Sequence, residues 1–310
     1  TDVAGPGVGP NLAVLGTNDG VLRAVDVATG EAMWSVSVGD PIHAAPAPVD
    51  DGFVLADKGG VMRRLDSAGE EVWRYNGGSF GGTPLLVDGA AVLGGNDDRV
   101  HAVDLETGRA RWVSAVDGDV IGMAAHDAAR AVIYTGTITG TFYALDVESG
   151  SILWSLALGG GVWGSPAVEG DVAVVGTIVT NEIIGIDLES GAILWQFATG
   201  DFVRGSPLIV DGIAYIGSHD FTFYAMDIAT GDLVWTHPLG LDSRIDGRPA
   251  VLGDIVYTAG GTVGAGLDRA SGDLRWSFDL DATARGDVVA VDGTVYLADG
   301  EGRLYAVPSS

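Results

Sequence analysis

The chain has 310 residues, with 16 basic against 42 acidic side chains, a net charge of −26, 49 Gly, 11 Pro and no Cys. That charge opposes phosphate backbones and anionic lipid heads and so argues against nucleic acid and polybasic membrane binding. The absence of cysteine excludes disulfides and thiolate metal or nucleophile sites, while the 47% of hydrophobic residues is ample for a large core.

No basic-then-apolar leader opens the chain at Thr1, so any export signal is expected to have been removed or never to have been there. From Asp26 onward a repeat takes over. Seven of the eight tryptophans (Trp34, Trp73, Trp112, Trp154, Trp195, Trp235 and Trp276) are spaced by 39, 39, 42, 41, 40 and 41 residues. A Gly stands four residues before each one, from Gly30 to Gly272, and an Asp eight before, or seven in the second copy. The longest uncharged run, between Glu148 and Glu169, holds Gly159-Gly160-Gly161 and Pro166, which make it a poor membrane helix.

Each unit resolves into four short strands. In residues 164–200, apolar runs are separated by Gly, Asp and Asn turns, the pattern of β-hairpins. The Asp-x-x-(Thr/Ser)-Gly step is a turn whose carboxylate accepts local N–H groups and whose Gly takes positive φ. Four strands every ~40 residues is the propeller period. Pro46, Pro84, Pro166, Pro207 and Pro249 all open the first strand of a unit. Proline cannot donate to a ladder, so this strand is expected at the edge beside the central channel.

The pattern Ala/Gly-x-Asp-x-x-Thr/Ser-Gly-x-x-x-Trp, as in Ala24-Val25-Asp26 to Trp34 or Gly185 to Trp195, resembles the tryptophan-docking motif of PQQ-like repeats. The second copy departs, with Arg64 for Ala, Ala68 for Thr and one residue deleted. The resemblance implies an all-β propeller occupying residues 1–310 as one domain. It leaves function open, because the family includes quinoprotein alcohol dehydrogenases as well as non-catalytic propellers such as the outer-membrane assembly lipoprotein and kinase-linked sensor domains. Hairpins of the second and third strands occur eight times, the last at 294–307, where Pro308 replaces the motif Asp; only seven fourth strands exist. Residues 1–10 can supply the first strand of blade one or the missing outer strand of blade eight, but not both. Eight blades with an incomplete closure are therefore expected, seven blades being the alternative, and an unpaired outer edge would be a docking site for another segment.

The fourth-to-first and second-to-third loops of a propeller share one face. The opposite face here is nearly constant, with Asp88-Gly89, Asp211-Gly212 and Asp292-Gly293 turns, and reads as scaffold; the first face varies between copies, where function is usually grafted. The residue before the small residue that opens each inner strand should ring the channel mouth, which gives His43, Phe80, Ile121, Trp163, Arg204, Asp246 and Arg285. Trp163 is the tryptophan outside the repeat. An aromatic face, guanidiniums, an imidazole and a carboxylate around one funnel can stack and clamp a flat or anionic ligand. The plainer reading is that Trp163 plugs the channel and that Arg204 and Arg285 pair with Asp246 or other acids.

Asn96-Asp97-Asp98, Asp117-Gly118-Asp119 and His219-Asp220 can in principle hold Ca²⁺, but Asp-rich turns are also ordinary turn chemistry. The five His show no paired zinc spacing, and no GxSxG elbow or Walker loop is present. Catalytic members of the resembled family use loop insertions, a calcium triad and often an adjacent-cysteine disulfide. None maps here, so neither pyrroloquinoline quinone nor a metal is expected. The reading is a non-enzymatic binding scaffold, extracytoplasmic, with a protein partner on the variable face or the open edge. A ligand-sensing or dehydrogenase-like domain is the alternative. Finally, 33 of the 42 acids are Asp, and Lys58 is the single Lys beside 15 Arg. This bias resembles that of haloarchaeal proteins; a GC-rich genome favouring Arg is the plainer explanation.

Overall fold

The computed structural model describes residues 6–240, 244–291, 293–301 and 303–308; the side chains of Arg285 and Pro308 lie outside that description. The strands form eight antiparallel sheets, each a simple meander in chain order. Seven have four strands, and the last has three: Ala284–Val291, Thr294–Asp299 and Leu304–Pro308. Gly7–Val8 pairs with Leu12–Gly16, so the opening segment supplies the first strand of blade one and leaves the outer position of blade eight unfilled among the described residues. Leu15 of blade one nevertheless packs with Ala298 and Leu304 of blade eight, which joins the ends of the ring.

The first strands of blades two, three, five, six and seven start directly after Pro46, Pro84, Pro166, Pro207 and Pro249, and that of blade one after Pro6; those of blades four and eight, at Ala125 and Ala284, have no such proline. Successive blades interlock through two repeated contacts. In the first, the tryptophan of one fourth strand lies against the motif glycine of the next blade. A Cβ on Gly69, Gly108, Gly150, Gly191, Gly231 or Gly272 would come within 2.5–3.1 Å of that ring. The indole N–H then donates to the carbonyl after the next motif Asp: Trp34 to Ser67 at 2.9 Å, Trp73 to Leu105 at 2.8 Å, Trp195 to Ile228 at 2.7 Å and Trp235 to Arg269 at 3.0 Å. The motif glycine therefore does more than supply positive φ, because only a residue without Cβ lets the neighbouring ring close in.

In the second contact, a glycine ending a second strand admits an aliphatic side chain from the fourth-to-first loop. Gly16 receives Ile42, Gly94 Val120, Gly136 Val162, Gly176 Val203 and Gly217 Ile245. These five side chains are at most 1% exposed. Blade two has Ala56 in place of that glycine.

The turns follow the expected chemistry. Asp26 Oδ1 accepts the N–H groups of Ala28 and Thr29 at 2.9 and 2.8 Å. Asp88 and Asp211 take φ of 47° and 52°; Asp292 of the third such turn lies outside the described residues. In the shortened second copy the Gly69 N–H reaches back to Asp66 O, three residues rather than four, and Arg64 donates to the same Leu105 carbonyl as Trp73.

Asp104 and Asp268 are held down at about 2 by the Arg111 and Arg275 guanidiniums and by turn N–H groups. A depressed carboxylate stabilises the fold above its ordinary range near ~3.9, and that contribution disappears as pH falls toward the folded value. Urea midpoints should therefore fall between about pH 4 and about pH 2. The Asp104→Asn/Asp268→Asn double variant should lose less over that interval, and an identical acid limb in both proteins would refute the role of these turns.

Candidate functional site

The fourth-to-first loops and second-to-third turns converge on one face around a cavity of about 600 Å³ at the channel mouth. His43, Ile121, Trp163, Arg204 and Asp246 line it, as do Lys58 and Asn96 from the turns and Asp287 from blade eight. The Arg285 side chain lies outside the described residues.

Phe80 does not belong to the mouth. It is 1% exposed, packs with Met62, Trp73 and Leu93, and meets the His101 ring edge-on at 5.3 Å. Its N–H donates to Asp57 O just as that of Ile42 donates to Thr17 O and that of Val203 to Thr177 O. Phe80 is thus the blade-two counterpart of the buried aliphatic residues, its greater bulk set against Ala56. Two small residues follow it, and the mouth position is Gly81. The space there is taken by Lys58, whose Nζ would lie 3.0 Å from a Cβ on Gly81. Lys58 is half-buried, and desolvation lowers its pKa, with Asp119 acting in the opposite direction.

The remaining side chains form two groups. The guanidinium of Arg204 lies over the Trp163 ring, 4.3 Å from its centroid. This cation–π stack leaves Trp163 half-buried with its indole N–H buried and without a protein acceptor; Asn96 Oδ1, also lining the cavity, is a buried acceptor without a protein donor. The second group is His219, whose Nε2 meets Asp246 Oδ1 of the next blade's loop at 2.5 Å and whose ring lies 6.3 Å from that of Phe202. Phe202 is 43% exposed. From the same blade, Val179 stands 72% exposed with φ of +75°, a strained conformation for a β-branched residue. Among the described residues, all the other exposed large hydrophobic side chains lie on fourth strands, at the rim.

Around the channel, inner strands are stitched by side chains. Met123 N–H donates to Ser165 Oγ at 2.8 Å, Ser165 N–H to Ser206 Oγ at 2.9 Å, and Arg248 N–H to Asp287 Oδ1 at 2.8 Å. Burial pushes the Asp287 carboxyl up. The Asp-rich turns are occupied locally. Asp117 accepts from Thr137, Thr139 and Thr141, Asp220 from Tyr224 and the Gly200 N–H, and Asp97 meets His101. Among the described residues, no three metal-binding side chains converge. Lys58, Phe202 and Asp287 were not among the expected site residues, and Asn96 was expected only as part of a turn able to hold Ca²⁺. The lone lysine of an otherwise arginine-only set was the one available signal.

The family model described as outer membrane protein assembly factor BamB matches residues 18–129 and 121–309. The chain is 28% identical over 122 residues, 37% of its length, to BamB of Alteromonas naphthalenivorans, covering 29% of that protein. It is 30% identical over 132 residues, 38% of its length, to the serine/threonine-protein kinase AfsK of Streptomyces griseus, covering 16% of it. The chain thus spans less than a third of the length of these curated relatives. Among solved structures, it resembles the computationally designed Ika8 protein with a TM-score of 0.86 at 19% identity, over 99% of this chain and 97% of that one. BamB from Moraxella catarrhalis aligns with a TM-score of 0.82 at 16% identity, over 97% and 95%. A europium-containing methanol dehydrogenase aligns at 0.76 and 13%, over 97% and 81%. At these identities the likeness shows the fold. With both halves of the chain matched by one family model and six motif tryptophans docked on the motif glycine of the next blade, the chain belongs to the BamB-like family of PQQ-like β-propellers.

Proposed function

We propose that the chain is a non-enzymatic scaffold of the cell envelope, working outside the cytoplasm, that holds a protein partner on its variable face. One observation carries this reading: among the described residues, the exposed large hydrophobic side chains away from the rim are Val179 and Phe202, and both belong to loops of that face. Apolar groups on the same face as Arg204, Lys58 and Trp163 offer a peptide both buried area and charge-assisted or cation–π anchors. The family match to an assembly factor supports the same reading.

A photo-crosslinking residue at Phe202 or Arg204 should capture a discrete protein in cells, whereas one at Thr230 on the opposite face should not. Val179→Glu combined with Phe202→Glu should abolish the adduct formed from Arg204 without changing the melting temperature. Equal capture from both faces would refute the assignment.

The Trp163–Arg204 stack supports a second reading, a small anionic aromatic ligand at the mouth. The residues do not fit a calcium-bound quinone, since Asp246 is engaged by His219 and Asp287 by the Arg248 N–H, so no redox step follows from this site. Titration with pyrroloquinoline quinone and Ca²⁺ separates the two readings. Saturable quenching of tryptophan fluorescence that is lost in Trp163→Ala would favour the ligand.

A further inference from the structure

The seam between blades two and three carries a side chain that the other complete blades lack. In those, the docking tryptophan pairs across to a small third-strand residue: Ala24, Ala102, Ala144, Gly185, Ala225 or Gly266. In blade two Trp73 pairs with Arg64. Arg64 Nη1 donates at 3.0 Å to Leu105 O, a carbonyl that Trp73 Nε1 already serves at 2.8 Å. The seam therefore keeps its indole bond without any help from the guanidinium. Arg64 is half-buried, its Nε is buried without a hydrogen-bond partner, and among the described residues it forms no ion pair. Taking a guanidinium out of water without a counter-ion is costly, so the position favours an anion brought from outside.

Arg64 lines a pocket of about 270 Å³ on the face opposite the channel mouth. Asp50 lines it from the first-to-second turn of blade two, and Glu106 from the third-to-fourth turn of blade three. Both carboxylates are exposed, and among the described residues neither forms an ion pair. The pocket's second arginine is already engaged: Arg111 donates to Asp104 Oδ2 at 2.8 Å and to the carbonyls of Asp88 and Gly89 at 2.7 and 2.8 Å. One unneutralised guanidinium and two unneutralised carboxylates therefore share the pocket.

That charge set selects among ligands. A bare anion would meet Arg64 but also Asp50, Glu106 and the field of a chain carrying −26. A bare cation would meet the two acids and leave Arg64 without a counter-ion. A molecule with a carboxylate at one end and an ammonium at the other satisfies both. Drug-sized ligands occupy pockets of about 300–1,000 Å³, so this one suits something smaller.

We propose that this pocket binds a small zwitterion of the α-amino acid type, its carboxylate on the Arg64 guanidinium and its ammonium on Glu106 and Asp50. Asp50 and Arg64 belong to blade two and Glu106 to blade three, so the bound molecule bridges the seam. The site is independent of the protein-binding reading, which concerns the opposite face. It also gives a purpose to the one copy of the repeat that replaces the small residue with arginine.

The test is equilibrium dialysis of the 310-residue chain against each of the common α-amino acids, radiolabelled, at constant ionic strength. At least one should bind saturably and one-to-one, with acetate and methylammonium each competing about tenfold or more less well. Arg64→Ala should weaken binding by about tenfold or more. This variant installs the residue of four other copies and leaves Leu105 O with the Trp73 N–H, so its melting temperature without ligand should not fall. If it does melt early, Glu106→Gln on the exposed turn gives an independent readout and should weaken binding likewise. Arg204→Ala, at the mouth, should bind normally. The proposal is overturned if no amino acid saturates, if binding survives both Arg64→Ala and Glu106→Gln, or if Arg204→Ala abolishes it. Acetate competing as well as the amino acid would also overturn it, since the ammonium would then play no part.

Discussion

Trp195→Ala is expected to destabilise the protein by about 3–5 kcal/mol, the range for truncating a large aromatic side chain packed against a core. Trp195 packs among Val174, Ile183, Tyr224 and Met226, covers Gly231, and donates to Ile228 O at 2.7 Å. Removing it empties the seam between blades five and six and leaves the Ile228 carbonyl without that donor. Trp154, against Tyr134 and Phe142, should behave alike. Trp163→Ala should cost far less, because its ring lines the cavity beneath an exposed guanidinium instead of filling a seam between two blades. Urea unfolding in molar KCl measures all three. Equal losses at Trp163 and Trp195 would make Trp163 a core residue and remove it from the site.

The fold was legible because three anchors, Asp, Gly and Trp, recur in phase seven times, and each has a local turn or packing role that survives in any one copy. The ring closure was legible for the same reason, as a missing eighth anchor. The site was less so. Phe80 was misplaced by one residue because Gly81 and Gly82 are both small, and only packing against Ala56 shows which of the three neighbours faces inward. Trp163, Arg204 and Asp246 were found because equivalent loop positions converge on a channel by symmetry. Lys58 and Asn96 reach the same cavity from turns of other blades, a convergence set by side-chain length rather than by register. The second role of the motif glycine is likewise tertiary, since the ring that covers it lies 35–38 residues earlier in the chain.

The largest solvent effect is expected from salt, and it is the test of the haloarchaeal resemblance. Arginines meet acids throughout, as Arg130 does between Asp127 and Asp171 and Arg303 among Asp281, Asp299 and Glu301, but the net charge of −26 leaves most carboxylates without a cationic partner. Their mutual repulsion reaches ~10 Å in ~0.1 M salt and only ~3 Å in ~1 M. Unfolding spreads these charges apart, so low salt favours the unfolded chain. With several kcal/mol at stake and ~2–4 °C per kcal/mol for a protein of this size, the melting temperature should rise by about 10 °C or more across that range of KCl. Sulfate at matched ionic strength separates screening from the general strengthening of apolar burial, because only the latter depends on which anion is present. A melting temperature indifferent to KCl would mean that the acidic surface is not a salt adaptation, and the scarcity of lysine would then reflect genome composition alone.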